Sequence, residues 1–185
     1  MEKNAIELLT TAYKVLNPGC VVLVSCSDGD RDNLFAVTWN MPVRKNPPLL
    51  ALLSGKSHFS YPIIEHTGEL GINVMDASHA NAVLGCGRTS GKTERDKFAR
   101  FGLTRQAPTA ISAPLVDEAI ATLECRVERI VDLESSALII ARIVGASADP
   151  RHFVNGSWTF DNGLRLLHHL TGSRFCTSEG EIEGT

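Results

Sequence analysis

The fold of this chain is decided by the stretch NLFAVTWNMPVRKNPPLLALLSGKSHFS, residues Asn33–Ser60. Its pattern predicts two strands joined by a loop that ends at Pro47 and Pro48. The second strand, Leu49–Leu53, is continuously apolar, so we expect it to be buried on both faces. A polar turn that contains a glycine then opens a helix.

That turn has the composition of an anion-binding site. Between Ser54 and Ser60 it carries three hydroxyl groups and the ammonium of Lys56. The N-terminus of a helix adds unpaired backbone N–H groups and the positive end of the helix dipole. The sequence therefore predicts that a phosphate-bearing cofactor binds at this turn.

Length and charge restrict the classes of protein that fit. A chain of 185 residues suits one domain with a full core, which we expect to span residues 1–176, with 177–185 as a flexible acidic tail. The net charge of −3 and the absence of a long basic run argue against a nucleic-acid partner. No apolar run has the length of a membrane-spanning helix, so no membrane partner is expected.

The cysteines give no sign of a metal site. The chain has five, and no two have C-x-x-C spacing, so neither a zinc site nor a redox dithiol is predicted. The chain opens with apolar residues at helical spacing, Ile6, Leu9 and Tyr13, which differs from a signal peptide. With unpaired thiols, this favours the reducing cytoplasm.

The remainder of the chain is rich in predicted strands. Val21–Ser25, Leu70–Val74 and a last strand at Leu164–Leu170 are predicted, together with helices over Phe59–His66 and Ala77–Leu84. Strands dominate and no βαβ repeat is present. This composition favours a mainly β fold, an antiparallel barrel with flanking helices.

A long hairpin is predicted around the turn Glu134–Ser136. In its first strand, Leu123 and Cys125 alternate with Glu124 and Arg126, so we expect Glu124 to point outward. The alternation shifts phase at Ile130, which predicts a β-bulge.

A second glycine loop, Gly85–Thr93, looks at first like a phosphate-binding Walker A loop. The position that requires the first glycine of that motif is Cys86, so nucleotide hydrolysis is not predicted. A polar glycine loop before a helix is still a second place to hold an anion. We expect that helix to begin at Thr93, in a capping box with Asp96.

The adjacent histidines His168 and His169 point to opposite faces if they lie on a strand, so they cannot ligate one metal side by side. One interpretation is that one is buried and the other exposed. The alternative is a role near a ligand.

Short segments scattered along the chain also carry a resemblance. They are Asn33–Trp39, Asn46–Leu49, Ser57–Tyr61, Gly68–Val74, Cys86–Gly91 with Asp96–Phe98, Ala113–Leu115 before Leu123–Cys125, and Leu167–Leu170 with Gly172 and Arg174. In this order and spacing they resemble the flavin reductase-like, FMN-binding family that includes the flavoredoxins. The resemblance covers roughly residues 18 to 176 of this chain.

The resemblance implies an antiparallel split β-barrel with Greek-key connections, assembled as a homodimer with FMN at the subunit interface. FAD or riboflavin would be alternative flavins. Lys97 would stabilise charge on the flavin. The implied cofactor-binding residues are Asn33, Ala36, Val37, Thr38, Trp39, Ser54, Gly55, Lys56, Ser57, His58, Phe59, Ser60, Ser90, Gly91 and Lys97.

Two positions depart from the family pattern, since members often carry Thr in place of Ala36 and Arg in place of Lys56. The first departure removes a possible side-chain bond to the flavin, and the second loses bidentate phosphate geometry. Some of these residues also have simpler interpretations. Trp39 and Phe59 could be core residues, and Lys97 could be on the solvated side of its helix.

Two functions follow from the resemblance. The first is an NAD(P)H-dependent flavin reductase or related oxidoreductase, in which the cofactor supplies the hydride chemistry. The second is a flavoredoxin-like electron carrier that exchanges electrons with protein partners without oxidising NAD(P)H. The final electron acceptor could be a small molecule or a protein.

Overall fold

The structure is a computed structural model that describes residues 14–16, 19–178, 180–182 and 184. The helical pattern predicted at Ile6, Leu9 and Tyr13 lies outside these described residues. Helices are α1 (Ser60–Thr67), α2 (Ala80–Arg88) and α3 (Lys97–Arg100). Strands are β1 (Val22–Ser27), β2 (Asp32–Val37), β3 (Asn40–Arg44), β4 (Leu49–Gly55), β5 (Glu69–Val74), β6 (Arg105–Gln106), β7 (Leu115–Val116), β8 (Ala121–Leu133), β9 (Ser136–Ala148), β10 (Phe153–Val154), β11 (Ser157–Trp158), β12 (Leu167–Thr171) and β13 (Arg174–Thr177).

Seven strands form one antiparallel sheet in the order β2-β1-β5-β8-β9-β4-β3. Its two edge strands, β2 and β3, follow each other directly in the chain and are joined only by Thr38 and Trp39. The backbone N–H of Leu53 donates to the carbonyl oxygen of Trp39 at 3.0 Å. The sheet therefore curls so that its two edges meet, and the predicted mainly β barrel with flanking helices is confirmed.

The stretch that decides the fold contains three strands, so the prediction of two was wrong. Asn40–Arg44, assigned to a loop, is β3 and pairs with β4. Pro42 concealed it, because a proline suggests a loop but is tolerated on an edge strand, where one side of the backbone has no partner.

The predictions for β4 and α1 are confirmed. Leu49 to Leu52 are all buried, because β4 lies between β3 and β9. Helix α1 ends at Gly68, whose φ of 68° is left-handed and suits glycine.

The core has two parts, on the two faces of β1. Val22, Val24 and Cys26 point into the barrel, where they pack with Leu52 and with Ile64 of α1. Val21 and Leu23 point to the other face and pack under α2, α3 and β12, among Val83, Phe98 and Leu167. Because β1 is buried on both faces, it fixes the position of its neighbour β2 at the sheet edge.

The expected exposure of Glu124 in β8 was wrong, because its side chain is buried. Its carboxylate accepts bonds from the backbone N–H groups of Thr109, Ala110 and Ile111 and from the Thr109 hydroxyl. The predicted bulge is present, with register shifts between Glu124 and Cys125 and between Val127 and Arg129. Leu123 and Cys125 pack into the barrel core, and the loop over Thr109–Ile111 covers Glu124, which is why the pattern predicted an exposed residue.

The start of α3 also differs from the prediction. The helix begins at Lys97, and Asp96 caps it by accepting from the backbone N–H of Ala99 at 3.1 Å. Thr93 instead donates its hydroxyl to the carbonyl oxygen of Ser90, inside the preceding turn.

The last predicted strand is β12, and it returns through β13 as a hairpin. His168 and His169 are both half-buried, so the interpretation of one buried and one exposed histidine was wrong.

Among the described residues, no helix is long and apolar enough to cross a membrane. The same residues contain no group of three or more His, Cys, Asp and Glu side chains that could hold a metal ion.

Candidate functional site

Three segments that are distant in the sequence meet around one cavity, which we call the central cavity. They are β2, the turn that precedes α1, and the glycine loop that follows α2. The cavity has a volume of about 180 Å³. Its lining residues are Asn33, Phe35, Ala36, His58, Phe59, Ser60, Cys86, Gly87, Arg88, Thr89, Ser90, Gly91 and Lys97.

Asn33 gives the central cavity a buried polar group with spare bonding capacity. Its side chain is 2% exposed, and Nδ2 donates to Oγ of Ser60 at 2.6 Å. Its Oδ1 has no hydrogen-bond partner among the described residues. A buried carbonyl oxygen left unpaired is costly, so an acceptor placed here favours a ligand that donates a hydrogen bond.

The glycine loop is held against the turn by close packing. A Cβ atom on Gly91 would lie 2.3 Å from Cδ1 of Phe59 and 2.7 Å from Oδ1 of Asn33, so only glycine fits. Arg31 fixes this contact from outside. The Arg31 guanidinium carbon lies 4.5 Å from the Phe59 ring centroid, and Nη2 of Arg31 donates to the Gly91 carbonyl oxygen. Sequence reasoning missed Arg31, which follows a polar turn and gave no motif.

Lys97 lies in the cavity wall and not on a solvated helix face. It is 3% exposed, and its ammonium donates to the carbonyl oxygens of Leu34 at 2.6 Å and Cys86 at 3.1 Å. Burial lowers the pKa of Lys97 from its ordinary value, although the nearby Cys86 and Cys26 oppose that shift. Lys97 thus brings a donor to the cavity and joins β2 to α2.

The thiols near Lys97 are not nucleophiles. Burial raises the pKa values of Cys26 and Cys86 to about 12, and the charge of Lys97 only partly offsets this effect. Both side chains are therefore neutral at physiological pH, while nucleophilic chemistry requires the thiolate.

A second cavity of about 350 Å³ continues from the first along β2, and we call it the strand cavity. The two cavities share Phe35, Ala36 and His58. Val37, Thr38, Trp39 and Gly55, all implied by the resemblance, line the strand cavity with Leu53, Ser135 and Ser136.

Two features of the strand cavity were not visible in the sequence. Trp39 is 49% exposed, so the interpretation of it as a core residue was wrong. Ser135 and Ser136 come from the turn between β8 and β9. Only the pairing of Ser136 with Gly55 across β9 and β4 reveals that they reach the cavity.

The remaining residues of the turn face a third cavity of about 510 Å³, the lysine cavity. Lys56, Ser57, His66, Asp28 and Lys92 line it together with His58 and Phe59, which also reach the central cavity. Lys56 forms an ion pair with Asp132 at 2.5 Å, and Lys92 donates to the Ser57 carbonyl oxygen at 3.3 Å. Ser54 lines none of these cavities and is buried beneath the turn.

These cavities form one elongated site on an antiparallel barrel. One end is a groove along β2 with aromatic and small side chains. The other end offers hydroxyls, glycine N–H groups and lysines, which are the groups that bind phosphate. This combination is that of a barrel protein whose site has room and partners for a flat ligand with an anionic end.

The family model described as flavin reductase like domain matches residues 16–169, and the chain belongs to that family. The uncharacterized protein YddH of Escherichia coli (strain K12) is 36% identical over 172 residues, which is 90% of each chain. The FMN reductase (NADH) RutF of Cronobacter sakazakii is 25% identical and covers 70% of this chain and 75% of its own.

Solved structures agree on the fold. The FMN-binding domain of a flavin reductases-like enzyme from Shewanella baltica OS155 matches with a TM-score of 0.82 and 26% identity, covering 98% of this chain and 97% of its own. Flavoredoxin of Desulfovibrio vulgaris (Miyazaki F) matches with a TM-score of 0.85 and 23% identity, covering 99% of this chain and 97% of its own. The predicted split-barrel fold is confirmed.

Proposed function

We propose that this protein binds FMN in the central and strand cavities and works as an NAD(P)H-dependent flavin oxidoreductase. The observation that carries the proposal is the unpaired Oδ1 of Asn33, buried where β2, the turn before α1 and the glycine loop meet. The pyrimidine edge of a flavin and the hydroxyls of its ribityl chain both donate hydrogen bonds. The family membership and the NADH-dependent FMN reductase among the relatives support the same function.

The residues present fit FMN. The β2 residues from Ala36 to Trp39 would lie along the ring, with apolar side chains and backbone groups against it. Ser60, Ser90 and the backbone N–H of Gly91 would hold the phosphate, with the lysine cavity beside it. A tight glycine contact such as that at Gly91 permits close approach of backbone to a ligand.

FMN, when bound, supplies hydride chemistry that no side chain of this site can perform. The protein orients the flavin, excludes water and provides positive charge. Lys97 supplies a preorganised ammonium in the cavity wall, already fixed by two carbonyl oxygens. Such a group stabilises negative charge that develops nearby without needing to move.

The homodimer is part of this proposal. The edge strand β3 exposes Met41 and Val43, which are 57% and 46% exposed, next to the exposed Trp39 of the strand cavity. Exposed apolar side chains in a row favour contact with another protein surface. A second copy of this chain placed on β3 would cover the open side of the strand cavity.

The test is an anaerobic stopped-flow experiment on purified protein loaded with FMN and mixed with NADH or NADPH. We expect bleaching of the flavin absorbance by one nicotinamide at a rate that saturates. Tight FMN binding without such bleaching would instead favour the flavoredoxin-like electron carrier. Absence of FMN binding in a fluorescence titration would overturn both.

A further inference from the structure

A fourth cavity, which we call the hairpin chamber, is left empty by the proposed function, although Ala36 and Thr38 line both it and the strand cavity. It lies between β2, helix α2 and the hairpin of β12 and β13, and its volume is about 200 Å³. Thr38, Val83, Leu84, Arg88, His169 and Phe175 supply its main side chains.

The chamber adjoins the central cavity through small residues. Ala36 and Gly87 line both, and a Cβ atom on Gly87 would lie 3.1 Å from the Cβ of Ala36. Both residues are small, so the partition between the two cavities is thin. A molecule in the chamber would therefore be next to the occupant of the central cavity.

The chamber walls suit a flat apolar body. Val83 and Leu84 of α2 line it together with Phe175 of β13. The His169 ring meets the Phe175 ring edge to face, with centroids 5.4 Å apart, and its Nε2 is 3.2 Å from the Gly172 carbonyl oxygen. The two rings are fixed by these contacts and form a rigid aromatic wall.

Arg88 places a positive charge at the boundary of the two cavities. It lines both, and its guanidinium has no hydrogen bond or ion pair within the described part of the chain. Arg100 and Arg105, by contrast, form ion pairs with Glu94, Asp32 and Asp96. No acidic residue is among the described residues that line the chamber. A guanidinium presents a planar fork that matches a carboxylate.

We propose that the hairpin chamber binds a small aromatic carboxylate and that Arg88 selects its anionic group. The apolar walls hold the ring, and the guanidinium holds the carboxylate at the mouth. The chamber itself exists whatever fills the central cavity. A place for this ligand as a reaction partner of the flavin rests on the proposed function.

The test compares benzoate with benzamide, which has the same ring and a neutral polar group. Binding is followed by ligand-observed NMR titration, with and without FMN. We expect benzoate to bind about tenfold more tightly than benzamide, the low end for a charge-assisted hydrogen bond because Arg88 is exposed. Arg88→Gln should remove this preference. The matched control Arg95→Gln makes the same charge change on an exposed residue outside the cavities and should keep it.

A second variant tests the chamber wall. Phe175→Leu, which conserves most of the volume, should weaken benzoate and benzamide equally, by about threefold to tenfold for loss of a stacking contact. Thermal melts by circular dichroism verify that each variant is folded. No preference for benzoate in the wild type, equal losses in Arg88→Gln and Arg95→Gln, or no effect of Phe175→Leu would each overturn the proposal.

The flavin titration separates this inference from the proposed function. If Arg88→Gln weakens FMN but not riboflavin, Arg88 binds the cofactor phosphate and the chamber proposal is wrong. If the protein binds benzoate through Arg88 but does not bind FMN, the proposed function fails and the chamber stands. If FMN binds and benzoate does not, only the chamber proposal fails.

Discussion

Lys97 Nζ lies 2.6 Å from the carbonyl oxygen of Leu34, so the first residue of α3 is bonded to the edge strand β2. Its second bond reaches the carbonyl oxygen of Cys86 in α2. One buried ammonium therefore holds together three elements that surround the central cavity. Any substitution here changes the frame of the site as well as its charge.

The Lys97→Met variant should lose both stability and FMN affinity. Two carbonyl oxygens lose their donor, which costs about 1–3 kcal/mol in the free energy of unfolding. The loss is limited because Met removes the desolvation penalty of a buried charge. Urea denaturation and FMN titration measure the two effects. Lys45→Met, on an exposed turn residue, is the control; equal behaviour of the two variants would contradict the role of Lys97.

The Gly91→Ala variant should weaken FMN binding about tenfold, because the added Cβ meets the Phe59 ring and Oδ1 of Asn33, and overpacking of this kind costs about 1–3 kcal/mol. The glycine loop must then move away from the turn. Gly184→Ala, with open space around its Cβ, is the matched control. Unchanged affinity in Gly91→Ala would mean that the glycine loop does not contact the flavin.

Lys56→Met should weaken FMN about tenfold and leave riboflavin nearly unaffected, since a charge-assisted hydrogen bond is worth roughly 1.5–3 kcal/mol and the ion pair with Asp132 reduces that value. Asp132→Asn releases Lys56 from its ion pair, so FMN should bind as well as before or more tightly. Fluorescence titration of both flavins measures the difference. An equal loss for FMN and riboflavin would show a disturbed fold, and no loss would show that Ser60, Ser90 and Gly91 hold the phosphate without Lys56.

The hydrogen-bonded carboxylate of Glu124 leads us to predict that the folded protein loses stability in acid. Burial alone would raise the pKa of Glu124, but the bonds from Thr109, Ala110 and Ile111 outweigh it, so the pKa lies below its ordinary value of 4.5. The unfolded state then binds the proton first as pH falls. The stabilisation is complete above the ordinary pKa and disappears as pH drops through the lowered, folded-state value.

Urea denaturation at pH 7 and at lower pH tests this assignment. Glu124→Gln should reduce the free energy of unfolding at pH 7 by roughly 1.5–3 kcal/mol, as expected for hydrogen bonds to a charged group. The difference from wild type should shrink as pH falls below 4.5. Glu128, on the same strand as Glu124, forms an exposed ion pair with Arg142 of β9, so Glu128→Gln should cost less than about 1 kcal/mol. A pH-independent gap between Glu124→Gln and wild type would refute the assignment.

The proposed homodimer predicts a specific response at β3. Met41→Asp places a charge in the exposed apolar row of the edge strand and should convert the dimer into a particle of 20.0 kDa. FMN affinity should fall with it, because the strand cavity loses its cover. Light scattering with and without FMN provides the measurement. A wild-type protein that is monomeric at micromolar concentration with FMN bound would contradict the dimer.

Local patterns predicted the strands and helices where one face or both faces are uniformly apolar. Leu49–Leu53 was assigned correctly because a strand that is buried on both faces needs an apolar side chain at every position. Glu124 was misplaced because its partners, Thr109 to Ile111, come from a loop that has no pattern of its own. β3 was missed because an edge strand with a proline looks like a loop.

The candidate site also contains residues that local motifs identify and residues that only tertiary contacts bring together. Residues on β2 and the two glycine-containing turns were found through motif order, since those segments carry recognisable chemistry. Ser135, Ser136 and Arg31 were not, because only the pairing of β9 with β4 and the stacking on Phe59 bring them near. The separation of Lys56 from the central cavity also depends on a tertiary contact, its ion pair with Asp132.

The meeting of β2 and β3 has a consequence for dynamics. The barrel opens at the seam between its two edge strands, and the strand cavity lies along that seam. A ligand in the groove would contact Thr38 and Trp39 of the β2–β3 linker and Leu53 of β4 at the same time. It would therefore connect the elements on the two sides of the seam. Hydrogen exchange at the seam should therefore slow markedly on loading, while the inner strands β5 and β8 change little. Local opening of the protein would therefore be concentrated at the seam that binds the ligand.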